Sequence, residues 1–456
     1  MCYTVPLLQK KGIVMTGKLR NGLVALLLLT LGVFSGCGDY GNEGENSVGN
    51  NLVSAEVVED VNASTMLSVV QASIDANATN AFGYKAVKIT YTTTNQDGAS
   101  VTASGLLVIP SATDTYKAYL ASLNKSFSIS MICDNHGTMF LNSEAPTEVE
   151  VTDGLPNYSV AVLMTGYAGF AAVLPDYIGY GDSKGTTHPY ILKNGSAQAS
   201  LDMIRASVKY MTDNNIVYNG QLYVTGYSEG GYVAMSLAKD IEQNHSDEFT
   251  LMGVAPMAGP YSPEDLADYE LNATKTMVYP AFLAYIADSY AAYYSDVDIS
   301  DLLVEDINST TFPALFLGDY SGVAIHVALG LADGSTDYGF GTHTADELFS
   351  TTFINDYQNN VNNAVKVHMA QNSVNNWSPK SEMNLIHCVD DEIIPFSQSS
   401  TAYANLLAND ANVTLSPIPT AYLSQQVDAT HPFVHANCAT TAYGAAVTWF
   451  NTIRSR

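Results

Sequence analysis

The stretch Gln221-Leu222-Tyr223-Val224-Thr225-Gly226-Tyr227-Ser228-Glu229-Gly230-Gly231 decides how this chain folds. Residues 221–226 are β-leaning and read as a strand, and 229–243 read as the helix after it. Between them stands Gly226-Tyr227-Ser228-Glu229-Gly230, a Gly-x-Ser-x-Gly turn. Its glycines permit a tight, strained bend that lifts the serine out of the sheet. The following helix turns its positive dipole end and free N–H groups toward a developing oxyanion. Ser228 is therefore a candidate nucleophile. The competing reading is a plain glycine-rich turn between a strand and a helix.

Outward from this turn the chain alternates strand and helix patterns. Strands are expected at 87–92, 101–109, 126–133, 169–174, 251–258, 383–388 and 413–418. Pro417 weakens the last of these. Leu201, Ile204, Val208 and Met211 recur at helical spacing and predict a helix over 199–212. A final helix is expected over 440–453. Such alternation predicts an α/β class with a mainly parallel sheet. Residues 259–382 separate two expected strands, far more than a strand crossover needs. The segment 261–379 is accordingly expected to be an inserted, mainly helical cap. The core is then 61–260 together with 380–456. The cap tyrosines Tyr279, Tyr285, Tyr290, Tyr293 and Tyr294 are expected to be mostly packing residues, with pocket lining as the alternative.

A serine nucleophile needs a base, and the base needs an orienting carboxylate. Acids adjoin the strand 383–388: Asp390, Asp391 and Glu392 directly follow it. Two histidines come later, His431 and His435. Position alone leaves both the acid and the base open. The order Ser, acid, His is the one this strand–turn–helix arrangement requires. Asp296, Asp298 and Asp301 lack the glycine and final glutamate of a calcium loop and read as helix-start acids. No metal or cofactor is expected.

The 456-residue chain is long enough for one large domain with insertions, and 47% of it is apolar. Its net charge of −27 excludes a nucleic-acid partner, because nothing would neutralise phosphates. Lys10, Lys11, Lys18 and Arg20 precede an apolar run from 23 to 34 that ends in Ser35-Gly36-Cys37. This is the layout of a secretory leader over 1–36. Val33-Phe34-Ser35-Gly36-Cys37 resembles the lipobox of bacterial lipoproteins, which implies lipidation at Cys37. The protein is thus expected outside the cytoplasm, anchored to a membrane through its N-terminal lipid. Residues 37–60 are expected to be a flexible tether.

Further motifs carry a resemblance. They are His136-Gly137-Thr138, Pro175-Asp176-Tyr177-Ile178-Gly179-Tyr180-Gly181-Asp182-Ser183, His188-Pro189-Tyr190, the elbow through Gly231, Trp377-Ser378-Pro379, and His387 to Pro395. In this order they resemble the anchor motifs of the secretory lipase family of α/β hydrolases, over about 84–450. The resemblance implies an α/β-hydrolase fold and hydrolysis of small-molecule or lipid acyl esters through an acyl-enzyme. The family's HGxxDxxVP motif falls on His387 to Pro395 and selects Asp391, with Cys388 where the family usually has Gly. The spacing of His435 to Trp449 selects His435. The oxyanion donors implied are the N–H groups of Glu229 and Thr138. Asp176 and Tyr177 are read as braces for the elbow. In this fold the loops carrying Cys388 and Cys438 adjoin. A disulfide between them is one expectation, and two buried thiols the other. A serine peptidase on the same fold and a non-catalytic surface binding protein are the rival readings.

Overall fold

A computed structural model describes residues 51–454 other than 150, 153–154, 157–158, 273–274, 335–337, 425 and 428–432. The leader, Cys37, the tether up to residue 50, and His431 therefore lie outside the described residues.

Nine strands form one sheet: β1 (Leu52–Val61), β2 (Gly83–Thr94), β3 (Ser100–Ser111), β4 (Ile129–Asn135), β5 (Ala171–Pro175), β6 (Tyr218–Tyr227), β7 (Thr250–Met257), β8 (Glu382–Cys388) and β9 (Val413–Ile418). Their order across the sheet is β1-β2-β3-β5-β4-β6-β7-β8-β9. The first three are joined antiparallel, β3 meets β5 antiparallel, and every later pairing is parallel. The order reverses around β4, with β5 on one side and β6 on the other. In open α/β sheets such a reversal leaves a crevice at the carboxyl ends of the strands, where ligands bind. Both Ser228, after β6, and His136-Gly137-Thr138, after β4, emerge there.

Strand alternation splits the core into two layers. Met131 and Cys133 of β4 join one cluster and Ile132 the other; β5 divides Ala171 and Val173 from Ala172 and Leu174 in the same way. The helices named below are α1 (Lys193–Asp213), α2 (Glu229–Asn244), α3 (Pro263–Glu270), α4 (Pro280–Tyr293), α5 (Thr351–Asn359), α6 (Ala364–Gln371), α7 (Ser397–Ala408) and α8 (Val434–Arg454). Helices α1 and α2 cover the first face and α8 the second. Helices α3 to α6 all lie between β7 and β8, the stretch with the long insertion. Asp298 caps the short helix Ile299–Leu302, its side chain accepting from Ser300 N–H. Among the described residues, no helix is long and apolar enough to cross a membrane.

Three expectations need correction. Residues 52–60, expected in the tether, belong to strand β1. Its burial is slight, so the sequence carries no alternating apolar face, and the pairing with β2 alone defines it. Helix α1 starts six residues earlier than expected and α8 starts at Val434 rather than near 440. Neither start has a local signal. Leu192 makes no side-chain cap, and the first N–H groups of α1 are met from afar, by Asn372 and Gln96. The first N–H groups of α8 are met by Glu392.

Candidate active site

The turn between β6 and α2 holds Ser228 at φ 63°, a conformation costly for a residue with a side chain. Its glycines are required by contact. A Cβ on Gly226 would strike Gly230 O, one on Gly230 would strike Asn135 O, and one on Gly231 would strike Met257 O. All three obstacles are backbone, so none can move aside. Ser228 N–H donates to Met257 O over 2.9 Å, pinning the elbow to the end of β7. Ser228 occupies the N-cap position of α2, yet its side chain makes no capping bond. The hydroxyl is instead turned to His435, with Oγ 2.8 Å from Nε2.

His435 lies in the first turn of α8 and is buried. Its Nδ1 donates to Asp391 Oδ2 over 2.6 Å, which leaves Nε2 free to accept from the serine hydroxyl. Three further bonds fix the backbone here: Glu392 accepts from the N–H groups of Val434 and His435, and Tyr227 Oη donates to His435 O over 2.7 Å. The carboxylate of Glu392 thus acts as a tertiary cap on α8.

Asp391 follows β8 and is fully enclosed. Its Oδ1 accepts from the N–H groups of Ile393 and Ile394, at 3.0 and 2.8 Å. Its Oδ2 faces His387 Nε2 at 3.2 Å as well as His435. Burial by itself raises this carboxyl, but the adjoining His435 and His387 outweigh it and hold the group well below the usual carboxylate range. The three adjacent acids have three different positions. Asp391 meets His435, Glu392 caps α8, and Asp390 turns outward to the Thr420 hydroxyl. A disulfide joins Cys388 to Cys438, linking the end of β8 to α8. Cys133 is buried and forms no disulfide among the described residues.

Beside Ser228 opens a pocket lined by Thr138, Tyr190 and Glu229, and on its far side by Leu266, Val278, Tyr279, Phe282, Leu283 and Ile286. The loop after β4 reaches it directly: a Cβ on Gly137 would lie 3.1 Å from Tyr227 O and 3.6 Å from Ser228 Cβ. The Thr138 hydroxyl is hydrogen-bonded to Tyr190 Oη at 2.7 Å. The N–H of Glu229 begins α2, where helix geometry leaves it without an intrahelical partner. Thr138 and Glu229, the residues of the two expected oxyanion donors, therefore line the same pocket as Ser228. Asp176 receives Thr147 N–H and the Ser104 and Thr147 hydroxyls, and burial raises its carboxyl to about 6. Tyr177 Oη donates to His136 O. These two residues hold the loop of His136 from behind and do not face the pocket. Tyr285 and Tyr290 are buried packing residues, while Tyr279 lines the pocket.

From sequence, Glu392 is only a rival for the acid, and no role is assigned to His387, Tyr227, or the pair of His188 with the Glu229 side chain. His387 and His188 stood inside quoted motifs, which was the available signal. Their partners lie on other elements. Among the described residues, no group of three or more His, Cys, Asp or Glu side chains is placed to hold a metal ion.

Comparison with known proteins bears on this geometry. The secretory lipase family model matches residues 151–454, more than half of the chain. No curated protein sequence matches. Among solved structures, the rice cell wall degrading esterase LipA from Xanthomonas oryzae is 21% identical, with a TM-score of 0.71 over 89% of this chain and 97% of that one. Candida antarctica lipase A in its closed state is 15% identical, with a TM-score of 0.55 over 87% of this chain and 82% of that one. At such identities the likeness is one of fold, the α/β-hydrolase fold. The family match goes further: the chain belongs to the secretory lipase family and is a carboxylic-ester hydrolase.

Proposed function

We propose that Ser228, His435 and Asp391 form the catalytic triad of an esterase or lipase that works through an acyl-enzyme. The observation that carries this reading is the continuous relay from Ser228 Oγ to His435 Nε2 at 2.8 Å and from His435 Nδ1 to Asp391 Oδ2 at 2.6 Å. Ser228 Oγ attacks the ester carbonyl as His435 Nε2 takes its proton. Asp391 keeps the imidazole in the required tautomer and stabilises the imidazolium. The N–H groups of Glu229 and Thr138 hold the oxyanion. The ester C–O bond breaks, and the alcohol leaves with the proton from His435. Water, deprotonated by His435, then attacks the acyl-enzyme and releases the acid and the serine. No cofactor or metal takes part.

Leu266, Phe282, Leu283 and Ile286, which line the pocket from α3 and α4 beside Glu270, suit an apolar acyl group, so acyl esters are the proposed substrates. The insertion 261–379 is proposed as a cap that shapes this pocket. The leader 1–36 and Cys37 support an extracytoplasmic lipoprotein, with the membrane contacted through the lipid.

The test compares wild type with Ser228→Ala on p-nitrophenyl acyl esters, with aminoacyl amides run in parallel. Ester turnover lost in a variant that keeps its circular dichroism is the expected result. Undiminished ester turnover by Ser228→Ala removes Ser228 from the mechanism, and turnover of amides above esters makes the protein a peptidase.

A further inference from the structure

The residue after the nucleophile is an acid. Glu229 is 2% exposed and lines the same pocket as Ser228 and Thr138, the space of the proposed oxyanion hole. A lone carboxylate there would oppose the charge that develops on the substrate oxygen. In this chain it is not alone. Glu229 Oε1 lies 2.7 Å from His188 Nε2, and His188 Nδ1 lies 2.7 Å from Ile178 O. His188 is buried as well, at 1% exposure.

Hydrogen-bond accounting sets the proton count of this pair. A backbone carbonyl only accepts, so His188 Nδ1 carries a proton and donates to Ile178 O. The contact from Nε2 to Glu229 Oε1 then needs a second proton between the two atoms. The pair therefore holds one proton more than a neutral imidazole beside a carboxylate, and its net charge is zero. Two features place that proton on the ring. The rings of Tyr177, Tyr180, Tyr190 and Tyr285 surround His188 with centroids 5.4–5.9 Å away, and aromatic rings attract a cation at such range. Glu229 is the first residue of α2, where the helix dipole favours an anion.

We infer that His188 is a positioning residue that acts through Glu229: a buried imidazolium cancels the Glu229 carboxylate beside the oxyanion hole. The inference rests on the reading of Ser228 as nucleophile. His188 touches no reacting atom. It keeps the acid at the elbow from repelling the oxyanion, and it holds the first turn of α2 in place.

The consequence is a pattern of rescue that a purely structural contact would not give. His188→Gln leaves an amide N–H to hold Glu229 but no compensating charge. On p-nitrophenyl esters this variant is expected to lose about 10- to 100-fold in kcat with KM nearly constant, the scale of one charge at a few ångströms in a partly screened site. In a Glu229→Gln background, where no carboxylate remains to neutralise, the same His188→Gln change is expected to cost less than about 3-fold. Equal losses in both backgrounds overturn the inference, as does a loss confined to KM. A second readout does not depend on turnover. In full-length Ser228→Ala protein labelled with 15N-histidine, the His188 imidazole, assigned by comparison with His188→Gln, should show both ring nitrogens protonated. That signal should vanish with His188→Gln. A bare Nε2 on His188 overturns the inference even where the esters confirm Ser228. Inactive wild type with a doubly protonated His188 overturns the reading of Ser228 and leaves the charge pair standing.

Discussion

Ser228 holds a positive φ of 63°, in a turn packed so closely against the backbone of Asn135 and Met257 that only glycine fits at 226, 230 and 231. The order of Ser228, Asp391 and His435 was legible in the sequence, since Ser228 stands in a Gly-x-Ser-x-Gly turn, Asp391 directly follows an expected strand, and only two histidines come after it. Choosing Asp391 from three adjacent acids and His435 from two histidines took the family motifs. The partners of those residues were not legible. His188 and Glu229 stand 41 residues apart, and Glu392 caps a helix 42 residues away. Each contact exists only once the sheet has brought distant loops together. The same applies to Asp288 of α4, which is 2% exposed and whose Oδ2 has no hydrogen-bond partner among the described residues. Burial raises its carboxyl to about 7. Between the ordinary carboxyl value and 7, the folded protein holds a proton that the unfolded chain releases. Asp288 therefore weakens the fold as pH rises from about 4 to 7. Asp288→Asn should be more stable than wild type by roughly 2–4 kcal/mol at pH 8, with the gap closing toward pH 4. Urea unfolding at both pH values checks it; a gap that does not change with pH contradicts it.

At the scale of elements, the strands β3, β6, β7 and β8 were readable because each is a buried apolar run. The edge strand β1 was not. Val53, Val57 and Val58 stay exposed, and only the end residues Leu52 and Val61 of the strand pack against the core. The helix starts of α1 and α8 were misplaced for one shared reason. Local capping signals are what a sequence displays, and both helices are capped by side chains from other elements. The Cys388–Cys438 disulfide makes one unit of β8 and α8, the two elements that deliver acid and base. Asp391 is three residues after one cysteine, and His435 three before the other. Closing a loop of 50 residues is worth roughly 4 kcal/mol in the chain-entropy view. Cys388→Ala/Cys438→Ala should lower the denaturant midpoint by about that much stability and cut ester turnover. Unchanged turnover and midpoint would show that Glu392, Tyr227 and the packing of α8 suffice to hold the base.

Over the whole molecule, the sheet places a crevice at its reversal point, and the insertion between β7 and β8 supplies the apolar wall facing it. Proposed membrane attachment belongs to this scale too. Cys37→Ser should move the protein from the membrane pellet to the soluble fraction without loss of ester turnover; a variant that stays with the membrane rules out lipid at Cys37. The central claim concerns one oxygen atom at that crevice. An alkyl fluorophosphonate reacts with a serine only when a base and an oxyanion hole act on it together. The most direct measurement is therefore labelling of the intact protein with such a probe, followed by peptide mass mapping. The expected result is a single adduct on Ser228, absent from His435→Ala. An unlabelled protein, or an adduct on another residue, contradicts the account.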